Sequence, residues 1–132
     1  MNLAPLLAAP WLVQVHVAAA LAAIVLGLVQ FIGRKGTAAH RLLGWCWVGL
    51  MAVVALSSFS ITGVAGPGRF SWIHGISAIT ICLLAAAVVS ARRGRIRRHR
   101  NSMIGLYLGA LLITGAFTLL PGRIMGRVVF GW

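Results

Sequence analysis

Four long stretches of the chain carry no charged residue: Trp11–Ile32, Leu42–Val64, Trp72–Ala91 and Ser102–Leu120. Each is close to the roughly 20 apolar residues that cross a bilayer core as a helix. The segments between them are short, so neighbouring helices are expected to run antiparallel. The pattern predicts an all-α integral membrane protein, an antiparallel four-helix bundle forming one domain over residues 1–132. Its helices are expected at about 11–32, 40–64, 72–91 and 99–120, followed by a C-terminal tail at 121–132. Gly33-Arg34-Lys35-Gly36 opens the first connection, Gly63 to Gly68 makes the second, and Pro121-Gly122 ends the fourth helix. The tail from Arg123 to Trp132 is amphipathic and aromatic at its end, which suits the membrane interface; Trp11 and Trp72 mark the same outer level.

Composition makes lipid the solvent. Of the residues, 61% are hydrophobic, 9% are charged, and there is no Asp or Glu; a soluble domain carries about a quarter charged residues. All twelve charges are cationic. Arg34, Lys35, Arg41, Arg92, Arg93, Arg95, Arg97, Arg98 and Arg100 lie in or beside the first and third connections, while only Arg69, Arg123 and Arg127 lie on the other side. Cytoplasmic loops hold the excess of Lys and Arg, so the basic connections are expected inside and both chain ends outside. The cations flank spans instead of covering a folded face, which argues against nucleic acid and for anionic lipid head groups as their partners. Met1 to Pro5 has no positive n-region of a secretory signal, so the first helix is expected to be retained. Cys46 and Cys82 fall at different depths, which disfavours a disulfide; they read as small buried apolar residues.

Histidines reveal an internal repeat. His16 precedes His40 by 24 residues and His74 precedes His99 by 25. Each half reads as an outer-side His, an Ala-rich helix, a basic loop, and His-Arg opening the next helix, with His40-Arg41 and His99-Arg100 as the two junctions. Two copies of one hairpin suggest a pseudo-two-fold axis along the membrane normal.

The absence of Asp and Glu excludes Ser-His-Asp hydrolysis, paired-carboxylate glycoside chemistry, calcium sites and carboxylate proton relays. Four histidines remain, one per helix. His16 and His74 fall in the outer half, His40 and His99 at the inner ends. In a square bundle each pair is diagonal, which suits two axial ligands on opposite faces of a haem. Small residues follow the ligands: Ala19, Ala20, Ala23 and Gly27 after His16, Gly44 after His40, Ser77 and Ala78 after His74. Arg41, Arg97, Arg98 and Arg100 could meet the propionates of an inner haem; Arg69, Arg123 and Arg127 could meet those of an outer one. Taken singly, His40 or His99 is an ordinary helix-end residue, whereas an ionisable residue inside a span, such as His16, is usually functional. Two histidines without a third ligand make a poor zinc site. Gly105 and Gly109 read as a packing feature and Tyr107 as a packing aromatic.

This plan is similar to the cytochrome b561 superfamily, whose four-helix cores carry two b-type haems near opposite membrane faces. The resemblance implies haem b at two sites, His16 with His74 and His40 with His99, and electron transfer from a quinol, ascorbate or similar donor. The segments His40-Arg41-Leu42-Leu43-Gly44-Trp45, Phe59-Ser60-Ile61, Ser71-Trp72-Ile73-His74 and His99-Arg100 also resemble a family of small bacterial membrane proteins of unknown function. No ascorbate or substrate motif accompanies them. The expectation is a dihaem membrane cytochrome, a quinol-linked oxidoreductase with a quinone or a redox protein as partner. The alternatives are a haem-free accessory subunit and a small transporter.

Overall fold

The structure, a computed structural model, describes residues 1–61 and 71–132. The described residues form helices and turns, with no strand among them. In chain order the helices are α1 (Ala4–Leu7), α2 (Trp11–Ile32), α3 (Ala38–Ser60), α4 (Trp72–Arg92), α5 (Ile96–Gly105), a π-helical segment (Leu106–Ile113), α6 (Thr114–Phe117) and α7 (Ile124–Phe130). Helices α2, α3 and α4 have the length and apolarity to cross a membrane. From Ile96 to Phe117, α5, the π segment and α6 follow one another without a break.

Several boundaries differ from the sequence reading, each for a local reason. Helix α3 starts at Ala38 because the Thr37 hydroxyl accepts the His40 N–H at 3.1 Å and caps the first turn. It ends at Ser60, and the glycine-rich connection with Arg69 lies outside the described residues. The fourth helical run begins at Ile96, after Gly94 turns the chain at φ +69°. It stops at Phe117, before Pro121-Gly122. Its π segment had no signature in the ordinary apolar run Leu106–Ile113. There the turn widens, and the Thr114 hydroxyl reaches the Gly109 carbonyl five residues back at 3.0 Å. Cys46 and Cys82, expected to be buried, are free and exposed. One helical step moves a side chain by 100°, and the next residue, Trp47, takes the core position instead.

The core is built from stripes at four-residue spacing: Ala19, Ala23 and Gly27 on α2, and Trp47, Met51 and Ala55 on α3. Leu84 and Ala87 of α4 join Leu106, Tyr107 and Leu111 of the π segment against them. Helix α3 packs on α2 and α4; α5 packs on α4, and the π segment on both α4 and α2. Two polar anchors fix this centre. Trp47 Nε1–H donates to the Ala23 carbonyl at 2.9 Å, and the Tyr107 hydroxyl donates to the Ile24 carbonyl at 3.1 Å. Phe31 meets the Tyr107 ring edge-on at 5.0 Å. A side chain on Gly27 would stand 2.6 Å from Tyr107 Cδ2 and 3.0 Å from Trp47 Nε1, so only glycine admits both rings.

At one end, α1 packs on α7, with the Asn2 N–H donating to the Val128 carbonyl at 2.9 Å. Gln14 Nε2 donates to the carbonyls of Leu7 and Ala9, joining α1 to α2. Trp132 stacks on Phe130 at 4.7 Å, and its Nε1–H donates to the Leu119 carbonyl at 3.3 Å. Trp72 meets Phe117 edge-on at 5.8 Å, so the start of α4 and the end of α6 share a level.

Gly27→Ala is expected to destabilise the protein by about 1–3 kcal/mol, as overpacking does when anchored rings must shift. Gly75→Ala, where an added Cβ meets nothing within 4 Å, serves as the control and should be neutral or mildly stabilising. Thermal midpoints of the two variants in one detergent measure the difference.

Candidate functional site

Each histidine is held by the element next to it, and the hydrogen bonds define the tautomers. Gln30 of α2 is the reference point for His40. Its Nε2 donates to the His40 carbonyl at 3.0 Å, which turns Oε1 toward the ring. Oε1 lies 3.1 Å from His40 Nδ1, so Nδ1 carries the proton and Nε2 keeps its lone pair. His99 of α5 donates from Nδ1 to the Ala87 carbonyl of α4 at 2.9 Å, which leaves its Nε2 in the same state. The two half-buried rings come from different elements, His40 from α3 and His99 from α5.

His16 of α2 follows the same rule with a hydroxyl acceptor. Its Nδ1 lies 2.8 Å from Ser57 Oγ, while the Ser57 hydroxyl proton is directed to the Val53 carbonyl at 2.6 Å. The oxygen therefore accepts from the ring. The Ser77 hydroxyl, by contrast, donates to the Ile73 carbonyl within its own helix, and the Thr114 hydroxyl to the Gly109 carbonyl.

His74 is set apart. It occupies the third position of α4 and closes a capping box: the Ser71 side chain accepts from the Ile73 N–H at 3.5 Å, and the Ser71 N–H donates to His74 Nδ1 at 3.1 Å. A glutamate or glutamine normally fills that place; in a chain without acids a histidine does. With Nδ1 accepting, the proton sits on Nε2, which donates to the Phe59 carbonyl at 3.3 Å. The ring also lies 5.9 Å from Phe59. His16 and His74 thus both attach to the far end of α3, at Ser57 and Phe59.

The cations expected around the histidines are spread. Arg41 is exposed and turns back to donate to the Gly36 carbonyl at 3.1 Å. Lys35 caps the end of α2 by donating to the Phe31 carbonyl. Arg100 is exposed beside His99. Arg123 is half-buried ahead of α7, with Arg127 one turn on. Among the described residues, no three His or Cys side chains gather to hold a metal ion.

Sequence reasoning passed over two orienting residues, Gln30 and Ser57. Gln30 had a legible signal: with Gln14 and His16 it is one of three polar side chains in Trp11–Ile32, and an amide inside an apolar span needs a partner. Ser57 had none, since Ser57, Ser58 and Ser60 are neighbours and only the packing selects one.

Comparison with known proteins places the chain in a family. The potassium-binding subunits of the potassium-transporting ATPases of Salmonella paratyphi B and Salmonella newport are 36% identical to the chain over 61 residues. That match covers 46% of the chain and 11% of each subunit, so the chain spans about a tenth of the length of these relatives. No solved structure matches the chain significantly. Residues 13–130, nearly the whole chain, match the family described as "Predicted membrane protein (DUF2306)". The chain belongs to the DUF2306 family of membrane proteins.

Proposed function

We propose that this protein is a b-type membrane cytochrome that carries electrons through histidine-ligated haem. In this reading α2, α3, α4 and the run Ile96–Phe117 form a four-helix bundle with both chain ends periplasmic, in a bacterial cytoplasmic membrane. The observation that carries the reading is the state of His40 and His99. Both donate Nδ1–H to a fixed acceptor and keep the Nε2 lone pair free, as axial imidazole ligands do. Gln30 and the Ala87 carbonyl hold these rings and raise their basicity. Arg41 and Arg100, one residue beyond each histidine, can neutralise propionates at the same membrane surface. Bound there, haem b supplies one-electron chemistry, with a quinol or a redox protein as the exchange partner.

The two pairs do not fit the group equally. His16 is prepared like the inner ligands, with Nδ1–H on Ser57. His74 has both nitrogens engaged. It can join His16 as a ligand only by releasing the Ser71 cap and the Phe59 carbonyl and moving its proton to Nδ1. A second haem at the outer pair therefore has a cost that the inner one does not. The packed layer of Trp47, Met51, Leu106 and Tyr107 would separate the two sites. One feature favours the haem-free accessory subunit: both ring nitrogens of His74 are already held by the protein.

The purified protein should show a Soret band and, on dithionite reduction, the sharp α band of low-spin bis-histidine haem. His40→Ala and His99→Ala should give matching losses, with the inner haem absent or converted to high spin, whereas His74→Ala should spare it. Gln30→Leu removes the acceptor of His40 and should weaken haem retention by about 10–100-fold, as loss of a ligand-orienting bond does. Full haem loading in both inner variants sinks this reading, and so does purification from haem-replete cells with no Soret band. Orientation is checked separately. A C-terminal fusion to a periplasm-dependent phosphatase should be active and a cytoplasm-dependent reporter silent; the reverse would invert the bundle.

A further inference from the structure

An open cleft of about 480 Å³ lies where α4 hands over to α5, lined by Arg95, Ile96, Arg97, Arg98, Asn101 and Ser102. Three arginines, an asparagine and a serine thus border one opening together with a single apolar side chain. The chain has no Asp or Glu, so no side chain of the protein can neutralise these arginines, and like charges this close repel one another. An anion from outside removes that cost. The backbone adds to the demand. Arg95 provides no side-chain cap for α5, and the N–H groups of Arg97 and Arg98 have no partner among the described residues. The first turn of α5, whose residues border the cleft, therefore leaves N–H groups open to an anion.

Position and shape select the anion. Arg92 ends a helix fit to span the membrane, and Ile96 begins the next one, so the cleft stands at head-group depth. Ile96 is 65% exposed, an apolar wall that a small hydrated anion does not need and a glycerol backbone can cover. Arginine pairs with phosphate oxygens through two parallel N–H bonds, in a way that lysine does not.

We propose that this cleft is a binding site for the phosphate of an anionic phospholipid, held by Arg95, Arg97 and Arg98 together with the free amides at the start of α5. Asn101 and Ser102, one turn further along, offer donors to the glycerol end of the head group. The site is independent of any haem.

Native mass spectrometry of the full chain, released from detergent micelles carrying dioleoylphosphatidylglycerol, counts retained lipid and gives its affinity. One phosphatidylglycerol should bind more tightly than dioleoylphosphatidylcholine. The charge-preserving variant Arg95→Lys/Arg97→Lys/Arg98→Lys should bind it about tenfold more weakly, because the bidentate bonds are lost. Arg34→Gln/Arg92→Gln/Arg93→Gln removes three charges outside the cleft and should weaken it less than about threefold, a screened long-range effect. Lysine-variant binding equal to wild type, or equal weakening in both triple variants, reduces the cleft to a diffuse basic surface and overturns the proposal. Equal affinity for phosphatidylcholine also overturns it. Displacement of the lipid by millimolar inorganic phosphate would identify a free-phosphate site and overturn the lipid assignment. Helical content by circular dichroism shows that each variant is folded; if the lysine triple variant is not, the three single Arg→Lys variants replace it, each expected to bind about two- to threefold more weakly.

Discussion

Trp47 and Tyr107 donate to two consecutive carbonyls of α2 across the bare backbone at Gly27, and the arrangement of the helices depends on this contact. Lipid provides little hydrophobic drive for helices to associate, so close packing and polar contacts must hold them. A single interhelical hydrogen bond in a membrane is worth only about 0.6 kcal/mol on average. The two bonds act together with the burial of both rings, which glycine alone permits. They join α3 and the π segment to the same turn of α2. That knot separates the level of His40 and His99 from that of His16 and His74.

The missing carboxylates shape everything polar in the molecule. Where another protein would orient imidazole with Asp or Glu, this one uses the Gln30 amide, the Ser57 hydroxyl and the Ala87 carbonyl. Where a helix start would carry an acid, α3 has Thr37 and α4 has Ser71 with His74. Neutral acceptors cost less to bury than carboxylates and pull less charge from the ring. The cations have no such substitute, which is why the arginines beside α5 face outward as an open donor set.

Much of the architecture was legible because bilayer thickness imposes a length on apolar runs and charge is excluded from them. The helical segments and the one-per-helix placement of histidine followed from that constraint. Side-chain azimuth did not. Each span is apolar around most of its circumference, so its sequence does not say which face turns inward; Cys46 was placed in the core when its neighbour Trp47 occupies it. Hydrogen-bond roles were hidden for the same reason. His74 looked equivalent to His16 by depth, yet its place three residues past Ser71 makes it a cap, a motif visible only if histidine is allowed to stand in for glutamate.

The π segment also governs rotation. A π turn accommodates one more residue than an α turn over the same rise, so Leu106–Ile113 acts as a phase shift within the fourth helical run. It brings adjacent Leu106 and Tyr107 both into the core, at 0% and 7% exposure. Upstream of it, the facing of His99 is measured from a shifted origin. A related chain with one residue fewer in this stretch would run as plain α-helix, and with Tyr107 kept on Ile24 its His99 would swing about 100° around the axis, away from Ala87. In this chain, the length of that short segment thus sets the angular register of His99.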